Sequence, residues 1–454
     1  MQQFADAHPR KRFFLEMFTR DIALEDTVLD LIDNSVDGLT RSRALDISPA
    51  LLAQPLPSSL RGKHLPLVRC EYSDDEFVLT DTCGGIPRDL AMKELFTFGH
   101  SESYKGSQLG VYGIGLKRAL FKIGRYFEIQ SRTIQEGFKA SVDIVEWAKK
   151  DEAPEDWRIP LTFIDGAGSA ESAGTSIKIK DLTQEVKTRL KDPTLTADLR
   201  SAISKTYLLF LGRYADVSVQ RTSVEPWAVP LGKSKEVTPA HRDFTIKLDG
   251  GTVKIKLIAS LAERGDRNEW AYERAGWYIF CNNRAVLAAD KSEVTGWGAA
   301  GLPKYHSKYN GFIGLLFFES TNPLLLPWRT TKRGVNVDSM AYQRIRPEMA
   351  AAARPIITFL NDMYPSDIPE ELSERTVAEG VRGVDLRSFA KRPRTDFAVS
   401  PRRPRSPAKE TVSIQYNASK RDIERIKKAT RQPRLSASKI GEYTFRHFVE
   451  HELE

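Results

Sequence analysis

One short run constrains this chain more than any other: Gly110-Val111-Tyr112-Gly113-Ile114-Gly115-Leu116-Lys117, which leads into the apolar, helix-patterned Ala119-Leu120-Phe121-Lys122-Ile123. Three glycines at that spacing allow a turn with bare backbone N–H groups. A helix starting there adds its positive end, so the place suits a phosphate chain. Glycine-rich turns are common, and the run gains meaning from what surrounds it.

Upstream, residues 21–38 have the periodicity of a helix with a wide buried face: Ile22, Val28, Leu29, Leu31, Ile32 and Val36, closed by Gly38. Asp30 and Asn34 are four apart and share one face. Stacked in that way, the carboxamide oxygen can ligate Mg²⁺ while the carboxylate orients or deprotonates a water; an ordinary solvated helix face is the plainer alternative. Residues 39–66 read as an irregular insert. Strands are expected at 67–72 and 76–80, the second running into Asp81-Thr82-Cys83-Gly84-Gly85-Ile86. An aspartate at a strand end, followed by glycines, can accept from a planar amine such as that of adenine. A helix over 90–96 and a polar, lid-like stretch at 98–107 follow. Beyond the glycine-rich run, strands are expected at 126–131, 138–144 and 174–179, the last starting at Gly174-Thr175.

Taken in order, Asp30-x-x-x-Asn34, Asp81-x-x-Gly84-Gly85-Ile86, Gly110-x-x-Gly113-x-Gly115-Leu116-Lys117 and Gly174-Thr175 resemble the motifs of the GHKL ATPases. That superfamily holds gyrase, the MutL repair proteins, chaperones of the Hsp90 kind, histidine kinases and the MORC proteins. Leu31-Ile32-Asp33-Asn34-Ser35-Val36-Asp37 and Phe98-Gly99-His100-Ser101 look closest to the MORC-like branch. The resemblance implies an α+β fold: a two-layer α/β sandwich of the Bergerat type that binds ATP with Mg²⁺. It implies Asn34 as the Mg²⁺ ligand and Asp81 as the adenine acceptor, with Thr175 assisting through a water. It also implies Gly85 in the adenine loop, Gly110, Gly113 and Gly115 around the phosphates, Lys117 as a charge on them, and Asp30 as general base. Two departures stand out. The family's base is usually glutamate, so slow hydrolysis, or binding with little hydrolysis, is expected from Asp30, and Asp30→Glu is expected to raise turnover. Cys83 stands where a glycine is common, with Gly84-Gly85 expected to compensate.

Residues 181–210 look helical. The hairpin signal at Asp249-Gly250-Gly251, a buried strand turning at Asn282-Asn283, a strand at 312–318 and a helix over 338–363 resemble the transducer-like α/β domain that follows the pocket in this superfamily. Its N-x-R turn would be Asn282-Asn283-Arg284. Its reaching lysine, in Pro327-Trp328-Arg329-Thr330-Thr331-Lys332-Arg333-Gly334, would be Lys332, with Arg329 and Arg333 as rivals and a basic surface loop as the plain alternative.

Charge enters at the tail. Residues 391–454 carry 16 Lys/Arg against 8 Asp/Glu, so the whole formal excess of +8 lies there. The Pro-rich basic stretch reads as a linker and the remainder as strand, helix, turn, helix, resembling a ribbon-helix-helix module that dimerises. Thr411, Ser413 and Gln415 would face DNA, while Ile423, Ile426, Ile440, Tyr443, Phe445 and Phe448 would be turned inward. The domains expected are 1–185, 186–365, a linker at 366–410 and the tail at 411–454. No membrane span is expected, and three cysteines without metal-ligand spacing fit a reducing cytoplasm. The function expected is an ATP-dependent switch or clamp that dimerises and acts on DNA. The rivals are a non-hydrolysing DNA-binding regulator and an adaptor.

Overall fold

The computed structural model describes residues 10–45, 60, 64–99, 109–110, 113–151, 153–265, 269–299, 301–363, 378, 380–386, 393–400, 417–430 and 436–453. The chain divides into two compact units, Met1–Ser400 and Pro401–Glu454. The first has a mixed α+β architecture built on two sheets.

In chain order the first unit opens with helices α1 (Lys11–Arg20) and α2 (Leu24–Ser42) and strands β1 (Leu67–Tyr72) and β2 (Glu76–Asp81). The 90–96 segment is helical, but its turns over Ala91–Leu95 are wound in the wider π form. Helix α3 (Gly115–Ile123) then precedes β3 (Gly124–Arg132), β4 (Glu136–Asp143), helix α4 (Ile144–Lys149), β5 (Thr162–Asp165) and β6 (Gly174–Leu182). The helix expected across 181–210 is two, α5 (Gln184–Leu190) and α6 (Leu195–Thr206), because Asp192-Pro193 interrupts them; proline lacks the donor that a continuous helix needs there. Strands β7 (Asp216–Val219) and β8 (Thr222–Ser223) follow.

These strands make one eight-stranded sheet in the order β5-β4-β3-β6-β2-β1-β7-β8. Pairing is antiparallel except between β1 and β7. Alternation is clear on β6, where Thr175, Ile177 and Ile179 are buried and their neighbours half-buried. Ile177 and Ile179 join Val28, Leu29 and Ile32 of α2 and Leu116 and Leu120 of α3 in one core. The helices thus lie on one face of the sheet, the sandwich the motifs imply.

The second sheet comprises β9 (Ala240–Leu248), β10 (Gly251–Leu261), β11 (Gly276–Cys281), β12 (Arg284–Asp290) and β13 (Phe312–Glu319), in the order β9-β10-β13-β11-β12. Every residue of β11 and β13 is buried, so both faces of the sheet centre are covered. Helix α7 (Met340–Asp362) supplies one cover through Ala341, Ile345, Met349, Ala352, Ile356 and Leu360. The β11–β12 turn is Asn282-Asn283, both at positive φ as a two-residue hairpin requires.

In the second unit, the described residues form helices α8 (Lys420–Ala429) and α9 (Ala437–Glu452), each with a serine N-cap. Ile423 and Ile426 are half-buried and Ile440 is buried. Tyr443, Phe445 and Phe448, expected to turn inward in a dimerising module, are exposed in the single chain. Two helices of this length cannot enclose so many rings. The strand expected at 411–416, with Thr411, Ser413 and Gln415, lies outside the described residues.

Candidate functional site

The site grows from one face of α2. Residues 30, 34, 37 and 41 recur at helical spacing, and Asp30, Asn34, Asp37 and Arg41 all line a single cavity. The opposite wall comes from Asp81 at the end of β2, Gly85 beyond it, Thr175 and Ile177 of β6, and Gly110, Gly113, Gly115, Lys117 and Arg118 around the start of α3. Lys332, from the loop after β13, reaches the same cavity. Ten residues singled out in the sequence, Asp30, Asn34, Asp81, Gly85, Gly110, Gly113, Gly115, Lys117, Thr175 and Lys332, are therefore brought together.

At one end, Asp81 is held entirely by neutral donors. Its Oδ1 accepts from the N–H groups of Cys83 (2.8 Å) and Thr175 (3.2 Å), and its Oδ2 from the Ser35 hydroxyl (2.9 Å). Burial pushes its carboxyl up from the ordinary value, against those hydrogen bonds and the charge of Arg41. The Thr175 hydroxyl lies 2.8 Å from that of Ser131. Cys83 is accommodated because Gly84 and Gly85 carry the positive φ angles of the loop. At Gly85 a Cβ would stand 2.2 Å from the Arg132 carbonyl oxygen, so no side chain fits.

Midway, the Asn34 amide nitrogen donates to the Asp30 carbonyl at 2.9 Å. That commits the nitrogen and presents the oxygen, the atom a hard cation takes. Asp37, which the motif reading passed over, accepts from the N–H groups of Leu109 and Gly110, both at 2.7 Å, and so ties the glycine-rich turn to α2. Burial pushes the Asp37 carboxyl up to about 6. A Cβ at Gly110 would lie 2.9 Å from this carboxylate. Lys117 points its ammonium at the carbonyls of Leu95 (3.0 Å) and Thr97 (2.7 Å), and burial brings its pKa down to about 7.

The other end is built of charges. Asp30 Oδ2 accepts from Arg118 Nε at 3.0 Å and from its Nη2, both side chains being almost wholly buried. Burial raises the Asp30 carboxyl, with the Lys332 and Arg118 cations opposing. One turn on, Asp33 is sealed: Arg284 Nε donates to it at 2.8 Å, Lys332 Nζ at 2.6 Å and the Tyr207 hydroxyl at 2.6 Å. Burial works against that anion, yet Arg284 and Lys332 outweigh it and hold its carboxyl below the usual range. Arg284 also donates from Nη1 to the Lys332 carbonyl at 2.7 Å, gripping the loop while Lys332 sits at φ 53°. Lys332 Nζ is 4.0 Å from Asp30 Oδ1. Its two rivals point elsewhere: Arg333 pairs with Asp26, and Arg329 donates to the Val335 carbonyl. Glu25 is occupied by Arg189, away from the cavity.

Arg118, Asp33 and Tyr207 were given no role by the sequence, and Arg284, read only as part of a turn, was not linked to the cavity. A signal existed for two of them. Arg118 and Asp33 are charges within apolar helical runs, and a charge on a buried face calls for a partner.

The cavity meets a buried carboxylate at one end and fixed cations at the other, between the sheet and the helix layer of an α/β sandwich. Residues 22–162 match the family model of histidine kinase-, DNA gyrase B- and HSP90-like ATPases. This supports the GHKL superfamily for the segment, and with it nucleotide binding. No curated protein matches the chain. Among the described residues, no helix is long and apolar enough to cross a membrane.

Proposed function

We propose that this protein is an ATP-dependent conformational switch, with a MORC-like arrangement of pocket and second domain, working in the cytoplasm as a homodimer. One observation carries the reading: Lys332 and Arg284 belong to the second sheet and its loop, yet they converge on α2, the helix that lines the nucleotide cavity. Whatever charge arrives beside Lys332 must change its balance between that charge and Asp33, and so bears on the angle between the two sheets.

In this reading Asp81 accepts from the adenine amine, with Thr175 beside it and Gly85 allowing close approach. The turn at Gly110, Gly113 and Gly115 surrounds the phosphates, and Lys117 leaves its two carbonyl partners to pair with them. Asn34 is the residue fitted to hold Mg²⁺ through its amide oxygen; the ion would supply charge neutralisation at the phosphates. Asp30 accepts a proton from the attacking water, and Lys332 stabilises the terminal phosphate. The basic tail, with the exposed Tyr443, Phe445 and Phe448, serves dimerisation, and Thr411, Ser413 and Gln415 contact DNA. The domain limits 1–185, 186–365, 366–410 and 411–454 are part of this proposal.

A second reading has its own support. Arg118 already occupies one oxygen of Asp30, which favours a nucleotide-sensing regulator that binds ATP and hydrolyses little. Calorimetry with Mg²⁺-ATP, paired with phosphate release from wild type and D30N, separates the two. Binding with turnover that D30N abolishes supports the enzyme, and binding without turnover supports the regulator. Absence of binding in a folded sample sinks both.

A further inference from the structure

Asp30 does not reach the cavity as a freely rotating carboxylate. Arg118 places two N–H groups on Oδ2, and Oδ1 is left as the oxygen that faces Lys332 at 4.0 Å. Arg118 lies one turn into α3, its own backbone N–H bonded to the Ile114 carbonyl at 2.8 Å, so the guanidinium is anchored on the same helix start as the glycine-rich turn. Behind Asp30, Gly115 is so close that a Cβ there would stand 3.2 Å from Asp30 Cγ. The carboxylate is thus boxed on two sides by α3.

We propose that Arg118 is a positioning residue: it fixes the rotation of the Asp30 carboxylate so that Oδ1 alone works on the water, and Asp30 and Arg118 act as one unit. This rests on the reading of the cavity as a Mg²⁺-ATP site. In the step concerned, the water oxygen bonds to the terminal phosphorus and the bridging oxygen departs with its electron pair as part of ADP. Oδ1 takes the water proton and later returns it to solvent. Arg118 is not itself consumed in the step.

One consequence reverses an expectation drawn from the motifs. Asp30→Glu does not improve the site while Arg118 is present. The added methylene drives the carboxylate into the space already filled by the guanidinium and by Lys332, and overpacking displaces the partners. The aspartate is the length that the pair requires.

The test measures Mg²⁺-ATP binding by calorimetry and phosphate release in the full chain for wild type, R118A, R118K, D30A, D30E, D30A/R118A and the volume-matched neutral pair D30N/R118Q. R118A is expected to keep its ATP dissociation constant within about fivefold while kcat falls roughly 10- to 100-fold, the scale of a 1 Å misplacement. R118K recovers part of the loss, since a point charge replaces a two-pronged grip. D30E falls below wild type. D30A/R118A is no slower than D30A, as residues acting together are not additive. If R118A fails to fold, R118K and D30N/R118Q carry the comparison. Unchanged kcat in the folded arginine variants, multiplicative losses in D30A/R118A, or D30E faster than wild type overturns the assignment. Wild type that binds ATP without turning it over overturns it as well but leaves the nucleotide site standing. Wild type that ignores ATP overturns the site too.

Discussion

The two ends of the cavity hold their carboxylates by opposite means. Asp81 is surrounded by an alcohol and two backbone amides; Asp30 and Asp33 are surrounded by two guanidiniums and an ammonium, with one phenol hydroxyl added at Asp33. Neutral donors leave a carboxylate as a directional acceptor, suited to a neutral amine. Cations instead make a charge-balanced cluster that an incoming anion must disturb, because the ammonium of Lys332 can serve either partner. In the proposed reading, the first end serves recognition and the second response. The difference also ranks the expected costs of mutation, since unpairing a buried charge costs more than losing a neutral hydrogen bond.

The largest effect is expected at Asp33. Asp33→Ala leaves Arg284 and Lys332 buried without their anion, and removing one partner from such a cluster costs about 3–5 kcal/mol. Urea unfolding should show that loss in the midpoint. A loss under about 1 kcal/mol would mean that the cluster is solvated and that the contrast between the ends is false. Asp33 also carries a pH signature. Its folded carboxyl lies below the ordinary range, so its contribution is present above the unfolded value and is lost as pH falls through the folded one. Asp33→Ala should therefore flatten the acid side of the stability curve.

Next comes Asp81→Asn, which places an amide among donors. About 1.5–3 kcal/mol of ATP affinity should go, roughly 10- to 100-fold in the dissociation constant, with the unfolding midpoint moving far less than in Asp33→Ala. Equal losses of stability at the two ends would erase the comparison.

Legibility in the sequence follows the same division. The recognition end could be read because each of its parts is local: Asp81 before Gly84-Gly85, Thr175 at a strand start, three glycines before a helix. Strand β1 was placed to the residue for the same reason, since alternation and a polar turn are short-range signals. The response end depends on pairs that no local pattern links. Asp33 and Arg284 are 251 positions apart, Asp33 and Lys332 299. Their meeting is decided by how two sheets pack. Asp33 reads as one more polar position until its neighbours are known to be buried all round. The tail differs again: apolar rings at helical spacing mark an apolar face, and in the single chain Tyr443, Phe445 and Phe448 of that face are exposed, so local pattern alone does not say what covers it.

Lys117 lines the same cavity and tests whether the cavity changes charge on filling. Its pKa of about 7 comes from burial, and among the described residues its ammonium is held by two neutral carbonyls. A phosphate chain favours the protonated form, so binding above pH 7 must draw in a proton. ATP affinity should then fall as pH rises from 7 toward 9, by up to about tenfold per unit. K117R, whose charge does not titrate there, should bind with a flat profile over that range. A wild-type profile as flat as that of K117R would show that Lys117 stays on the Leu95 and Thr97 carbonyls when nucleotide binds.

The smallest effect is the sharpest probe of the neutral end. Ser35→Ala removes one hydroxyl, the donor to Asp81 Oδ2 at 2.9 Å, and leaves both backbone donors on Oδ1. A neutral hydrogen bond is worth about 1 kcal/mol, so ATP affinity should drop about fivefold. The freed oxygen stays inside the cavity, where a water can replace the hydroxyl, and that caps the loss. Turnover at saturating ATP should not change, because the hydrogen bond of Ser35 goes to Asp81 and not to Asp30. A fall in kcat with affinity intact would mean that the two ends are coupled through α2, and that recognition and response are one event in this molecule.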